Sequence, residues 1–327
     1  MTPTVQLLHG DCIVEMEALA SAGFAADSIV CDPPYGWSFM GRDWDSPDNV
    51  AFRPDTWRLA LQLLPPGGML AAFGGAKSHH RLMVAVEDAG FEIFDVAMWL
   101  HGQGFPKAKT QLKPAYEPII LARKPTKGPV RALNIDDCRV EIAPADSIHA
   151  KNPHTENRGA EGGWCTRDGV GAAYSVPSGR WPANILHSGE PEVMDLFAEF
   201  GESKSSGHTR HNTPAGVNKA HSVGRSKSDW QTVGPRDSGS AARFYYCAKA
   251  SKAERAGSKH PCIKPQALLR WLIRLITPPG GMVLDCFAGA GSTGMACLSE
   301  GRSAVLIERE AEHIDDARRR LGWLERA

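Results

Sequence analysis

The chain lacks net charge, long apolar runs and any cysteine arrangement that marks a metal site or a disulfide framework. Its 327 residues carry 37 Lys and Arg against 37 Asp and Glu, so any electrostatic attraction for a polyanion must be local rather than global. No apolar stretch approaches the roughly 20 residues that cross a bilayer, because Arg270 and Arg274 interrupt the most hydrophobic helical segment. Eight cysteines are present, none spaced as CxxC, and no His/Cys spacing suits zinc. No basic-then-apolar leader opens the chain. These absences set the expectation of a cytoplasmic protein with reduced thiols, no metal and no membrane contact. With 42% hydrophobic and 23% charged residues, the composition suits a full core in one large domain plus an insert.

What is present is an alternation of strand and helix at the two ends of the chain. Strand-like runs fall at Val5–Leu8, Ser28–Cys31, Met69–Phe73, Phe94–Leu100 and Tyr116–Ala122, and helical stretches near Ile13–Ala20, Asp55–Leu64 and His79–Ala89. The alternation stops over residues 136–259, which are rich in Gly, Ser, His, Asn and Arg. It resumes at Lys264–Ile276, where Leu268, Leu269, Leu272, Ile273 and Ile276 form one stripe. A strand at Met282–Asp285, a glycine loop, a helix and a strand at Ser303–Ile307 follow. PPGG recurs at 65–68 and 278–281, each time closing a helix and opening a strand. The pattern predicts an α/β protein in three parts: 1–135, an insert over 136–259, and 260–327.

Two short motifs carry chemistry. In SIVCDPPYGW (28–37) a small, apolar, β-branched run places Asp32 at the end of a buried strand, where parallel sheets keep their ligands. Pro33 and Pro34 fix their own φ and have no N–H to donate, so their carbonyls point in set directions beside the carboxylate. Tyr35 adds a flat ring. In VLDCFAGAGSTG (283–294), Gly289, Gly291 and Gly294 spell GxGxxG between a strand and a helix, with Glu308 ending the next strand. Alone, that spacing reads as a dinucleotide fold. Only 33 residues follow Gly294, however, so the remaining strands must come from the N-terminal half and the sheet is built from a permuted chain. Asp285 and Phe287 suit a nucleoside with an amino-acid tail, S-adenosyl-L-methionine, whose ammonium calls for a carboxylate. Glu308 suits ribose hydroxyls in either ligand.

Taken in order, DPPY early and FAGAG (287–291) late, these pieces resemble the permuted β class of amino-group DNA methyltransferases of bacteria and phages, which act on adenine N6 or cytosine N4. HPCIKP (260–265) is similar to that family's HPTxKP, HGDC (9–12) to the segment whose acid meets the cofactor adenine, and MLAAFGG (69–75) with MWLHGQGFPKAK (98–109) to the strand and loop lining the target base. The resemblance implies a Rossmann-like fold with a mostly parallel seven-stranded sheet in circularly permuted order, plus an inserted target recognition region at 136–259. It implies catalysis by Asp32, Pro33, Pro34 and Tyr35. It implies an S-adenosylmethionine site made by Asp11, Cys12, His260, Pro261, Lys264, Asp285, Phe287, Ala288, Gly289, Gly291, Ser292, Thr293 and Glu308. Cys262, Cys286 and Ala290 stand where Thr, Pro and Ser are common, departures that touch cofactor affinity more than reaction type.

The implied partner is double-stranded DNA, and the even charge balance conceals two basic stretches suited to it. Residues 101–135 carry seven Lys or Arg and one acid, Glu117; residues 203–236 carry six and one acid, Asp229. Lys107, Lys109, Lys204, Arg210, Lys219, Arg225 and Lys227 are the expected phosphate contacts. Asp32 favours adenine, since cytosine-acting members more often carry Ser there. Cytosine N4 is the alternative, and an NAD-dependent oxidoreductase the more distant one. A homodimer and a cognate restriction nuclease are compatible with this reading, but the sequence indicates neither.

Overall fold

The computed structural model describes residues 2–38, 41, 43–102, 109–110, 112–141, 179–204, 208–211, 230–233, 238–248 and 263–324. The chain divides into two compact units: Met1–Cys138 with Ala183–Met194 and Tyr245–Ala327, and Arg139–Pro182 with Asp195–Phe244.

The first unit is built on β1 (Val5–His9), β2 (Ser28–Cys31), β3 (Met69–Phe73), β4 (Glu92–Leu100), β5 (Tyr116–Arg123) and β6 (Ile185–His187). Its helices in this stretch are α1 (Cys12–Ser21), α2 (Pro54–Gln62) and α3 (His79–Asp88). α4 (Pro191–Ala198), β7 (Ser203–Lys204), β8 (His208–His211), β9 (Trp230–Val233) and β10 (Ser238–Gly239) come next. β11 (Tyr246–Cys247), α5 (Gln266–Ile276), β12 (Met282–Asp285), α6 (Ser292–Ser299), β13 (Ser303–Glu308) and α7 (Ala311–Leu324) complete the chain.

One sheet runs β1-β13-β12-β2-β3-β5-β4-β6-β11. All pairings are parallel except those of β5, which is antiparallel to β3 and β4. The last-formed strands β12 and β13 lie between β1 and β2, which is the permutation expected from motif order. Seven strands match the expectation; the sheet gains two more at its β4 edge. These are β6 and β11, from the segments GRWPANILH and RFYYCAK that sequence alone assigned to the insert.

The central strands are continuous apolar runs because both faces are covered. Successive residues point to opposite faces: Ile29, Cys31, Leu70 and Ala72 join a core with Met16 of α1, Trp57 of α2 and Leu82 of α3. Val30, Met69, Ala71 and Phe73 join a second core with α5 and with Ala296 and Cys297 of α6. α5 buries the predicted stripe and adds Trp271 and Leu275. Both PPGG segments make the same turn. Gly67 and Gly280 take φ of 76° and 71°, and the next amide bonds back to Pro65 or Pro278 at 2.8 and 3.0 Å, as a type II turn requires. Among the described residues no helix is long and apolar enough to cross a membrane.

The second unit contains two antiparallel pairs, β7 with β10 and β8 with β9, and a bridge between Val140 and Arg180. Arg139 lies over the exposed Trp181 ring, 5.4 Å from its centroid.

Candidate active site

β12 and β2 are neighbours, but β12 continues to β13 on one side while β2 continues to β3 on the other. In such sheets the crevice beyond the carboxyl ends at this reversal takes the ligand. Asp285 ends β12 and Asp32 follows β2, so the reversal is flanked by two carboxylates.

On the β12 side, the glycine loop is held from several directions. Asp285 is 2% exposed and accepts from the Phe287 amide at 2.9 Å and from the Thr293 hydroxyl. Burial pushes its pKa up to about 7, against the pull of those two hydrogen bonds. Among the described residues no cation is bonded to it. Gly289 donates its amide to Glu308 Oε2 at 2.7 Å, and Glu310 donates to Oε1 at 2.7 Å. Burial of Glu308 opposes ionisation, but hydrogen bonds from His313 and these amides outweigh it and lower its pKa. Ala288 bonds the Ile307 carbonyl at 2.9 Å. Gly291, at φ 74°, caps α6 in the left-handed region. Phe287 packs against Trp57, centroids 6.2 Å apart. Asp11 caps α1 by accepting from the Ile13 amide at 2.9 Å. It lies beside this loop, since the preceding Gly10 amide bonds the Glu308 carbonyl at 3.0 Å. Cys12 is buried, and that burial pushes its thiol pKa well up. Ser292 and the Ala290 carbonyl both meet Arg320 Nη1, at 2.9 and 2.6 Å.

On the β2 side, Asp32 is surrounded by donors. Lys264, nominated for the cofactor by its motif, directs its ammonium to Asp32 Oδ2 at 2.6 Å. Tyr35 Oη donates to Asp32 Oδ1 at 2.9 Å and lies 3.2 Å from Glu117 Oε2. Lys264 Nζ is 3.1 Å from the same hydroxyl and 3.2 Å from Glu117 Oε2. Pro33 is buried and Pro34 half-buried. The loop that follows is fixed by the buried Asp45, which accepts from the amides of Gly36 and Trp37 at 2.7 and 3.1 Å. Ser78 clasps it from α3's start, donating to the Tyr35 carbonyl at 2.7 Å and accepting from the Trp37 indole at 3.0 Å. Trp37 meets Tyr35 edge-on at 5.5 Å.

Glu117, Asp45, Ser78 and Arg320 were not singled out from sequence as site residues. Only Glu117 left a signal, as the sole acid in a basic stretch. Lys109 is exposed. Of the seven cations in 101–135, however, three are committed to the fold: Arg123 pairs with Glu92, Lys124 bonds the Leu64 carbonyl, and Arg131 bonds the carbonyls of Asp27 and Ile276. The backbone of Lys204 is in β7 and that of Arg210 in β8. Lys107, Lys219, Arg225, Lys227, His260 and Pro261 lie outside the described residues.

Comparison with known proteins bears on the fold and the family. Type II methyltransferase M.BglI of Bacillus subtilis is 36% identical over 89 residues, 27% of this chain and 23% of that protein. Type II methyltransferase M2.DpnII of Streptococcus pneumoniae is 40% identical over 70 residues, 21% of this chain and 26% of that protein. The alignments thus span about a quarter of these relatives. Among solved structures, PvuII DNA methyltransferase, described as cytosine-N4-specific, superposes with a TM-score of 0.54 at 15% identity, covering 98% of this chain and 87% of that one. The M1.HpyAVI complex with SAM gives 0.50 at 16%, covering 97% and 99%. These two establish the fold. The DNA methylase family, comprising N6 and N4 methyltransferases, matches residues 26–319. The chain belongs to that DNA methylase family.

Proposed function

We propose that this chain transfers a methyl group from S-adenosylmethionine to an exocyclic amine of a DNA base, adenine N6 in preference to cytosine N4. The observation that carries the proposal is the pair of acids at the sheet reversal: Asp285 buried with no cation bonded to it among the described residues, and Asp32 a quarter exposed among donors.

The residues fit the cofactor. Asp285 is a buried carboxylate that no described cation compensates, which suits the ammonium of an amino-acid tail. Glu308 and Asp11 retain carboxylate lone pairs for ribose and adenine donors, since an ionised carboxylate can accept about four hydrogen bonds. When bound, S-adenosylmethionine supplies an electrophilic methyl on a sulfonium. The chain's own task is to make the amine a nucleophile. Its lone pair is delocalised into the base ring, and acceptance of its two N–H groups by the Asp32 carboxylate and the Pro33 carbonyl draws the nitrogen toward tetrahedral geometry. Positive charge develops on that nitrogen in the transition state, and a fixed carboxylate stabilises it. Orientation of two prepositioned reactants supplies much of the remainder. Tyr35 offers a stacking face to a base that has left the duplex.

The preference for adenine rests on Asp32 itself, in the motif position where N4 enzymes more often carry Ser. Residues 136–259 are proposed as the target recognition region. The basic residues of 203–236, with Lys107 and Lys109, are proposed as phosphate contacts. Two measurements test the reading. S-adenosylhomocysteine should raise the melting temperature where NAD does not, and single-molecule sequencing of DNA from expressing cells should show N6-methyladenine at one short site. Modified cytosine instead would move the assignment to N4, and unmodified DNA would overturn it.

A further inference from the structure

The contact between Lys264 and Asp32 exceeds what methyl transfer demands. Asp32 alone could hold the amine, yet a lysine 232 residues away is brought to 2.6 Å from its Oδ2. Only 8% of the Lys264 side chain is exposed. The ammonium also reaches Glu117 Oε2 at 3.2 Å and Tyr35 Oη at 3.1 Å, with the Phe73 ring 5.0 Å away. Burying a lysine is costly, and an apolar side chain of similar volume often serves stability as well or better. Among the described residues the cluster sets the Asp32 and Glu117 carboxylates against this one ammonium, which they share.

We propose that Asp32 and Lys264 together read the edge of the extruded base: Asp32 accepts from the exocyclic amine, and Lys264 donates to the unprotonated ring nitrogen beside it. The proposal rests on the methyltransferase reading above. A carboxylate next to an ammonium presents an acceptor and then a donor. Adenine (N6 amine, N1) and cytosine (N4 amine, N3) present the matching donor and then acceptor. Guanine and thymine carry a proton on the corresponding ring nitrogen and are refused by the ammonium. The device by itself therefore separates adenine and cytosine from guanine and thymine, and does not choose between adenine and cytosine.

Lys264 Nζ lies 3.1 Å from the Tyr35 hydroxyl and over that ring, 5.4 Å from its centroid, so the ammonium and the ring border the same space beside Asp32. A lysine ammonium has three rotatable donors. One of them can turn from the Tyr35 hydroxyl toward the base.

The test uses duplexes carrying the mapped target site with the target base opposite an abasic position, so that pairing energy drops out. The target is adenine, 1-deazaadenine or 7-deazaadenine (cytosine or 3-deazacytosine, with 5-methylcytosine as the distal control, if sequencing maps cytosine). Binding is measured with S-adenosylhomocysteine present. The wild-type protein should bind the 1-deaza duplex about tenfold or more weakly than the adenine duplex, and the 7-deaza duplex equally well. Lys264→Met should bind all three alike, and Lys264→Gln, which keeps a neutral donor, should restore part of the difference. Equal wild-type affinity for the 1-deaza and adenine duplexes overturns the proposal without any variant. A 1-deaza penalty that persists in Lys264→Met also overturns it, since another group would then read the ring nitrogen. Wild-type methylation of the natural site, scored in parallel, separates these failures from failure of the methyltransferase reading itself.

Discussion

Asp32 and Asp285 end adjacent parallel strands at the same edge of one sheet, yet their surroundings are opposite. Asp285 is buried and bonded to a backbone amide and a threonine hydroxyl, and burial raises its pKa to about 7. Asp32 is more open and is already bonded to an ammonium and a phenol. A buried acid without a counter-charge favours a ligand that brings one. An acid already paired is better prepared for a neutral amine, whose N–H groups need an ionised acceptor and whose charge appears only in the transition state. On the proposed reading, the partners of each carboxylate are what divide identical residue types between binding and chemistry.

The largest effect is expected at Asp32. Asp32→Ala removes the amine acceptor and should lower single-turnover methyl transfer by about a hundredfold to a thousandfold, the range for loss of one preorganised electrostatic partner. S-adenosylhomocysteine affinity should stay within a few fold by calorimetry. Loss of cofactor binding in this variant would break the division between the two acids.

Asp285 should show the converse. Asp285→Asn removes a charge-assisted partner worth about 1.5–3 kcal/mol, so S-adenosylhomocysteine affinity should fall roughly tenfold or more. The same acid has a pH signature. Its folded pKa lies above its unfolded value, so its contribution to stability is complete below about pH 4 and is lost as pH rises toward 7. Without ligand, Asp285→Asn should therefore match wild type near pH 4 and gain on it toward pH 7. Bound S-adenosylhomocysteine should shrink that gain, because its ammonium compensates the wild-type carboxylate. Melting curves across this range, with and without ligand, measure both.

Much of this architecture was legible in the sequence, for a local reason. Strands buried on both faces are continuous apolar runs, so Ser28–Cys31 and Met69–Phe73 are visible residue by residue. PPGG marks the same turn twice. What escaped depends on contacts distant in sequence. Glu117 matters because Lys264 and Tyr35 reach it, and Arg320 because it bonds the Ala290 carbonyl and the Ser292 hydroxyl from α7. Within 101–135, Arg123 pairs with Glu92, and Lys124 and Arg131 direct their charges to backbone carbonyls of the fold. A charge count along the chain does not show where side chains point. β6 and β11 are three and two residues long. Such lengths carry too little periodicity to reveal that they extend the main sheet.

Two glycines sharpen the comparison through the backbone. At Gly291 a Cβ would sit 3.0 Å from that of Ala317, in a left-handed conformation. Gly291→Ala should cost about 1–2 kcal/mol from the backbone alone and weaken S-adenosylhomocysteine binding. At Gly75 a Cβ would fall 2.5 Å from the Trp37 ring and 3.0 Å from Tyr35. Gly75→Ala should displace those rings and slow methyl transfer while leaving the cofactor's affinity unchanged. The two variants, assayed by calorimetry and by single-turnover transfer, should respond in opposite assays.

The smallest effect separates the two uses of Tyr35, as a ring and as a hydroxyl. Tyr35→Phe keeps the stacking face and removes the hydroxyl, whose single proton faces Asp32 at 2.9 Å and Glu117 at 3.2 Å, a hydrogen bond to charged, half-buried side chains. Lys264 still holds Asp32, so the carboxylate loses one of two supports. The transfer rate should fall by roughly tenfold, in line with the lower end of the about 1.5–3 kcal/mol of a hydrogen bond to a charged group. Tyr35→Ala also removes the face, worth about 1–3 kcal/mol by analogy with base–aromatic stacking in single-strand binders, and should slow transfer further. A 2-aminopurine at the target position reports the difference directly. It should brighten when the wild type unstacks it from the duplex, brighten no more with Tyr35→Phe, and brighten most with Tyr35→Ala, where no ring remains to quench it. A Tyr35→Phe loss as large as that of Tyr35→Ala would mean that the hydroxyl, through Asp32, does the work assigned here to the ring.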